Sequence, residues 1–170
     1  MLYNTLSLLF TFTHFINGPQ AAAFALALGL LVYLMTPPPP ADWMVRIAPN
    51  LYYFLHWSWL GYLRLSQAFW PFFLIYNAVL LYIDYRITEG SFTVASWITM
   101  HIILALPIVY WTVAVWRCSG NCSWRWLAVA ARWAVLLVYC DLALRWVIYQ
   151  YYPQVLFTCQ ERIVHWGDCY

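Results

Sequence analysis

The chain has 170 residues, of which 65% are hydrophobic and only 8% are charged. An ordinary soluble domain is about 45–50% apolar and about 25% charged. Eight basic and six acidic residues cannot cover the surface of a soluble domain of this length, whereas a bilayer solvates apolar side chains directly. The net charge of +2, without any basic run, gives no reason to expect nucleic acid as a partner.

The front of the chain contains one clear membrane span and one shorter apolar segment. Residues 19–35 carry no charge, and about 20 helical residues are enough to cross about 30 Å of hydrocarbon. Residues 2–16 are also apolar but shorter, and the Asn-Gly-Pro sequence at 17–19 is a strong turn signal. The front is therefore either one bent helix or a short hairpin that adds a fifth helix.

Residues 37–66 combine a spacer with a predicted surface helix. The four prolines at 37–40 end the preceding helix and favour a stiff polyproline II segment. Aromatic side chains interleaved with Arg between about 50 and 65 suit the headgroup region of a bilayer. This pattern predicts an interfacial helix.

Three further spans are predicted at about 68–84, 92–116 and 126–148, joined by short loops at 85–91 and 117–125. A polar tail, 149–170, follows. The predicted fold is all-α: a single membrane domain, 1–170, built as a polytopic transmembrane helix bundle of about four spans with an interfacial helix. The lipid bilayer and other integral membrane proteins, or further copies of the chain, are the expected partners.

Polar side chains inside the predicted spans are the main candidates for function. A charge at mid-bilayer costs about 2.5–3.5 kcal/mol, so it usually faces a partner or a wet cavity. Asp141 and Arg145 are four residues apart, one helical turn, and can pair. If the second and fourth spans are neighbours, one polar network is predicted from Asn77, Asp84, Arg132, Asp141 and Arg145. These residues either neutralise one another, line a path for ions or small solutes, or contact another subunit.

The cysteines fall into three groups. Cys118 and Cys122 have the spacing of half a zinc site, but no second pair lies nearby, so we expect free thiols that stay alkylatable. Cys140, in the middle of a span, is expected to be a small core residue. Cys159 and Cys169 are predicted to form a disulfide if the tail lies in an oxidising compartment.

Two histidines raise the question of a cofactor. His14 and His101 fall within apolar segments, and two His on separate helices are the minimum for a haem b. A lone intramembrane His is more often a hydrogen-bonded packing residue. We therefore predict no cofactor and no metal, with haem b as the alternative.

Orientation follows from the Arg residues near the membrane surfaces. The side that contains the 117–125 loop receives four, Arg46, Arg64, Arg117 and Arg125, whereas the other side receives Arg86 and Arg162. Loops rich in Arg face the cytoplasm. The 117–125 loop is predicted to be cytoplasmic and the C-terminal tail periplasmic.

A run of residues from Gly61 to about Trp146 resembles a group of small, uncharacterised bacterial membrane proteins. It contains Gly-Tyr-Leu-Arg-Leu, Phe-Trp-Pro-Phe, Val-Ala-Val-Trp-Arg-Cys-Ser and Trp-Leu-Ala-Val-Ala-Ala-Arg. That group carries a Gly-Val-Trp-Arg-Ser-Ala signature where a helix exits the membrane, and here Cys118 stands at a position usually held by Ser. The resemblance covers about half the chain and implies a bacterial inner membrane, but no activity.

No catalytic or nucleotide-binding motif is recognisable, so we expect a non-enzymatic protein. The leading hypothesis is a membrane subunit that packs against other membrane proteins and helps assemble or stabilise a larger complex. One alternative is a small channel or transporter that uses the intramembrane Asp, Asn and Arg residues. A second alternative is an intramembrane haem protein.

Overall fold

A computed structural model of the protein describes residues 18–39, 48–91 and 93–157. All the regular structure in these ranges is helical, and the helices are α1 (Gly18–Met35), α2 (Leu51–Leu60), α3 (Leu65–Thr88), α4 (Val94–Cys118), α5 (Arg125–Tyr151) and α6 (Pro153–Leu156). Four of them, α1, α3, α4 and α5, are long and apolar enough to cross a membrane. The chain is therefore a multi-pass α-helical membrane protein.

The helices differ from the predicted spans mainly in length. Helix α3 continues to Thr88 and takes up most of the loop predicted at 85–91. Helix α5 runs from Arg125 to Tyr151, so the predicted tail loses its first residues to this helix, and the short α6 follows. Polar side chains such as Arg86 are compatible with the last turn of a helix where it leaves the membrane. The predicted segment at 2–16 lies outside the described residues.

Local signals explain where α2 begins and ends and where α4 begins. The Asn50 side chain accepts a hydrogen bond from the backbone N–H of Tyr53 at 3.0 Å, which caps the start of α2. Thr93 caps α4 in the same way by accepting from Ser96 N–H at 3.3 Å. Gly61 ends α2 in a left-handed conformation, with φ +85°, that suits glycine.

The three spans α3, α4 and α5 form the core of the bundle in an antiparallel succession. Trp97 and Trp111 of α4 are fully buried and fill the centre together with small and branched side chains from α3 and α5. The backbones of α3 and α4 pack closely, whereas those of α3 and α5 stay further apart. The bundle is consequently tight around α4 and more open between α3 and α5.

The two ends of the bundle carry different residues. We call the end with Leu65, Cys118 and Arg125 the loop end, because it contains the 119–124 loop, and the end with Thr88, Val94 and Tyr151 the tail end. At the loop end, Asn121 Nδ2 donates to the carbonyls of Gly61, at 2.6 Å, and Leu63, at 2.9 Å. The 119–124 loop is thereby tied to the α2–α3 connection.

Helix α2 is fixed to α4 by hydrogen bonds as well as by aromatic contacts. Ser58 and Tyr110 hydrogen-bond through their hydroxyl groups, and Arg117 donates to the Trp59 carbonyl at 2.8 Å. The Arg117 guanidinium also lies 5.2 Å from the centre of the Trp59 ring. The predicted surface helix therefore exists at Leu51–Leu60 and is docked on the loop-end half of α4.

Replacing Gly61 with Ala should destabilise the protein more than replacing Gly90. Both glycines have positive φ, at +85° and +64°, and a non-glycine residue pays about 1–2 kcal/mol for such a conformation. A Cβ at Gly61 would also lie 3.0 Å from Arg117 Cβ and 3.1 Å from its carbonyl oxygen, whereas Gly90 has open space. Thermal unfolding in detergent, followed by tryptophan fluorescence, measures the difference. Equal losses for the two variants would mean that the α2–α4 contact is not tight.

Candidate functional site

The most highly charged part of the membrane interior is centred on Arg145 of α5. Its Nη1 and Nη2 donate to the two carboxylate oxygens of Asp84 at 2.7 and 3.0 Å, and its Nε donates to Asp141 at 3.0 Å. Arg145 and Asp141 are only 4% and 3% exposed. We call these three residues the ion triad. All three guanidinium nitrogens are bonded, which is what a buried Arg requires.

Helix geometry explains why the ion triad forms. Asp141 and Arg145 are four residues apart, so they share a face of α5 and pair along it. Asp84 lies one turn before the end of α3 and reaches the same guanidinium from the other side, with its side chain 35% exposed. The ion triad therefore links α3 to α5 near the tail end.

Asn77 lines a cavity together with Asp141 of the ion triad, and it forms its own hydrogen bond elsewhere. Its Nδ2 donates to the Phe73 carbonyl at 2.7 Å, within its own helix. A cavity of about 130 Å³ between α3 and α5 is lined by Asn77, Tyr76 and Asp141, together with apolar side chains. Asn77, Asp84, Asp141 and Arg145 are thus brought to one side of the bundle.

Arg132 is not part of this network, contrary to the prediction. It donates to the Met35 carbonyl, to Thr36 Oγ1 and to Ser119 Oγ at 3.0, 3.1 and 2.7 Å. It lies nine residues before Asp141, about 13 Å along α5 and toward the loop end. Its partners are neutral hydroxyl and carbonyl oxygens, and together they hold the end of α1 against α4 and α5.

Arg125 continues the attachment of α1 at the loop end. Its Nη2 donates to the Tyr33 carbonyl at 2.7 Å, and its guanidinium lies 4.1 Å from the centre of the Tyr33 ring. Arg125 and Arg132 are seven residues apart, and both reach the C-terminal part of α1. The two arginines therefore form one attachment site, separate from the ion triad.

Two further buried aromatic residues, Tyr76 and Trp97, were not among the residues predicted to form the network. The Tyr76 hydroxyl and the Trp97 indole N–H are buried and have no hydrogen-bond partner among the described residues. Tyr76 interacts electrostatically with all three members of the ion triad. Its position eight residues before Asp84, about two turns on the same face of α3, is the sequence signal that identifies it.

His101 packs on Trp97, with the ring centres 4.0 Å apart. Its Nδ1 lies 2.8 Å from the Trp97 carbonyl, and its Nε2 is buried without a partner among the described residues. His14, the other proposed haem ligand, lies outside these residues. The haem alternative is therefore not tested by the geometry.

The cysteines differ from expectation in their exposure. Cys118 and Cys122 are free thiols, as expected, but both are buried, so their alkylation in the folded protein should be slow. Burial raises the pKa of the Cys122 thiol, which lowers the fraction of reactive thiolate at neutral pH. Cys140 is exposed and not part of the core, because it lies on the outer face of α5 where a thiol is compatible with lipid.

The predicted Cys159–Cys169 disulfide lies outside the described residues. Within those residues, no group of three or more His, Cys, Asp or Glu side chains is placed to hold a metal ion. Cys118 and Cys122 instead direct their sulfurs toward backbone carbonyls, with Cys118 Sγ 3.6 Å from the Ser58 carbonyl oxygen.

No protein-family model, curated protein or solved structure matches this chain. The resemblance to small bacterial membrane proteins therefore stays a prediction.

Breaking the ion triad at its centre should have a large effect on stability. Arg145→Leu leaves two carboxylates side by side, and losing one partner of a buried pair costs about 3–5 kcal/mol. Asp141→Ala should lower the free energy of unfolding by less, because Asp84 still pairs with Arg145. Asp141→Asn should lower it less than Asp141→Ala does. Adding Asp141→Ala to Arg145→Leu should recover part of the loss, since only the partly exposed Asp84 remains. Thermal unfolding in detergent ranks the stabilities of these variants.

Arg86→Leu is the matched control for Arg145→Leu. Arg86 lies on α3 near the membrane surface and bonds to Tyr82 and Ser91, so its loss should cost below about 1 kcal/mol. If both Arg→Leu variants unfold at the same temperature, the ion triad does not hold α3 and α5 together.

Proposed function

We propose that this chain is a non-enzymatic membrane subunit that packs against other integral membrane proteins within a larger complex. The charged side chains that are buried in the spans support this proposal. All three guanidinium nitrogens of Arg145 donate to carboxylates, and the two terminal nitrogens of Arg132 donate to carbonyl and hydroxyl oxygens. Such contacts stabilise a scaffold and leave no activated nucleophile, acid or base at the site.

The observation that carries the proposal is the exposure of the first half of α1. Helix α1 approaches α5 closely at Gly29, whose missing Cβ would lie 3.1 Å from Trp133. Between Gly18 and Ala27, every side chain that the structure describes is exposed, and many are alanines. In lipid, where no hydrophobic force drives helices together, small side chains favour association because they let two backbones approach closely. This half-helix is suited to a partner helix.

We further propose that the protein lies in a bacterial inner membrane with the loop end in the cytoplasm and the C-terminal tail in the periplasm. The distribution of arginine supports the orientation: Arg64, Arg117 and Arg125 lie at the loop end, whereas Arg86 lies at the tail end. The bacterial location rests on the resemblance described above. The proposed sides of the loop end and the tail do not depend on whether residues 2–16 form a separate span, because a separate span would move only the N-terminus to the other side.

Reporter fusions test the orientation. A phosphatase that is active only in the periplasm should be active when fused after Tyr170 and inactive when fused after Gly120. A reporter that fluoresces only in the cytoplasm should give the opposite pair of results. Phosphatase activity after Gly120 and none after Tyr170 would reverse the proposed orientation.

A channel or transporter remains the second candidate, because one observation favours it. The cavity between α3 and α5 is lined by Asn77 and Asp141, near the middle of the two helices, and Asp141 pairs with Arg145. Ionisable residues inside a membrane often mark the path of an ion or a solute. An Asp141→Asn variant that is as stable as the parent protein, but abolishes a cation or proton flux in liposomes, would replace the assembly hypothesis with this one.

Cross-linking from α1 tests the assembly hypothesis directly. A photoreactive amino acid at Ala22 should give one adduct of discrete mass in membranes, because the position faces the proposed partner. Ala25→Phe, one turn away on the same face, should reduce that adduct by blocking close approach. Two differently tagged copies of the chain show whether the adduct is a second copy or another protein.

The matched control is the same photoreactive amino acid at Leu106 of α4, which is 79% exposed. This position should react only with lipid. If Ala22 and Leu106 both give lipid adducts alone, the exposed half of α1 has no partner and the proposal fails.

A further inference from the structure

We infer that the cavity between α3 and α5, which we call the inner cavity, binds a small cluster of water molecules inside the bundle. Its volume is about 130 Å³. Sites for drug-sized ligands commonly have about 300–1,000 Å³, whereas a water molecule in the liquid takes up about 30 Å³, so the inner cavity has room for a few waters. The inference does not depend on the proposed function, which rests on the exposed half of α1.

The Tyr76 hydroxyl is the observation that carries the inference. Tyr76 lines the inner cavity and is 5% exposed, and its hydroxyl has no hydrogen-bond partner among the described residues. Thr112, by contrast, donates its hydroxyl to the Ile108 carbonyl in the preceding turn of its own helix, at 2.7 Å. Tyr76 cannot use that bond, because its ring carries the hydroxyl away from the backbone. A buried hydroxyl without a partner lowers stability, so a polar guest in the cavity is favoured.

Asn77 supplies a second polar group to the same cavity. Its side-chain nitrogen donates one hydrogen to the Phe73 carbonyl at 2.7 Å. A side-chain amide has a second N–H hydrogen and an oxygen with two lone pairs, so one bond does not use its full capacity. A buried water needs about two to four polar partners, and the Tyr76 hydroxyl and the Asn77 amide already provide two. Asp141, which pairs with Arg145, lines the cavity as well.

The inner cavity suits water better than it suits a lipid chain. Its remaining lining residues are apolar: Phe73, Leu80, Ala134, Leu137 and Val138. All the lining residues are buried or half-buried, so the cavity lies within the bundle and not on its outer face. An acyl chain would cover the apolar walls but would leave the Tyr76 hydroxyl without a hydrogen bond. A cavity with apolar walls alone stays dry, whereas this one offers hydrogen-bond partners to water.

Radiolytic labelling of the purified protein tests the inference. An X-ray pulse produces hydroxyl radicals from water, and a radical formed from a bound water oxidises the side chain next to it, which mass spectrometry locates. Tyr76 should be labelled although it is buried. Ala134→Leu fills the inner cavity and should reduce the labelling of Tyr76 several-fold. Ala130→Leu adds the same group at an exposed position of α5 outside the inner cavity and should leave the labelling unchanged.

Removing the hydroxyl group gives a second measurement, which needs no larger side chain and so remains informative if Ala134→Leu does not fold. If water bonds to the hydroxyl, Tyr76→Phe loses a hydrogen bond and should lower the melting temperature in detergent by about 2–4 °C. In a dry cavity the same change would remove an unpaired polar group and raise the melting temperature. Tyr85→Phe is the matched control: its exposed hydroxyl donates to Glu89, so the melting temperature should change little.

Three results would overturn the inference. One is a melting temperature of Tyr76→Phe that is unchanged or higher, and another is the absence of label on Tyr76 in the parent protein. The third is equal labelling of Tyr76 in Ala134→Leu and Ala130→Leu, because radicals would then reach Tyr76 from outside the cavity. A lipid that the parent protein retains in native mass spectrometry and Ala134→Leu loses would also contradict it, since an acyl chain would then fill the cavity. None of these results bears on the proposed contacts of α1.

Discussion

A guanidinium group in hydrocarbon must have partners for its hydrogen-bond donors, and this requirement determines how the helices of the protein are joined. Arg145 meets it with two carboxylates, one from its own helix and one from α3. Arg132 meets it in part: its two terminal nitrogens donate to neutral oxygens at the ends of α1 and α4, while its Nε is buried without a partner among the described residues. Because lipid gives apolar helices little reason to associate, these polar contacts define which helices are neighbours.

The same contacts explain why the bundle is open on one side. Asp84 and Arg145 are joined through extended side chains, so α3 and α5 need not touch along their backbones. Helix α4 instead packs its large side chains, Trp97 and Trp111, directly into the space between its neighbours. The result is a dense core around α4 and a row of cavities between α3 and α5.

The fold class followed from composition, because uncharged runs of about 20 residues have few uses outside a bilayer. The contact between Asp141 and Arg145 followed from helical spacing. The partners of Arg132 did not, because backbone carbonyls and hydroxyls such as that of Ser119 leave no charge pattern in a sequence. The exposure of Cys140 was also missed: in a membrane protein an apolar residue in mid-span can face either the core or the lipid.

The proposed orientation rests on one asymmetry. Among the described residues, Arg64, Arg117 and Arg125 lie at the loop end, whereas the carboxylates Asp84, Glu89 and Asp141 lie in the tail-end half. Basic residues near the ends of the spans set the orientation and acidic residues contribute little, so the arginines of the loop end carry the argument. The ion triad has a different role, because its charges balance one another inside the bundle and join α3 to α5.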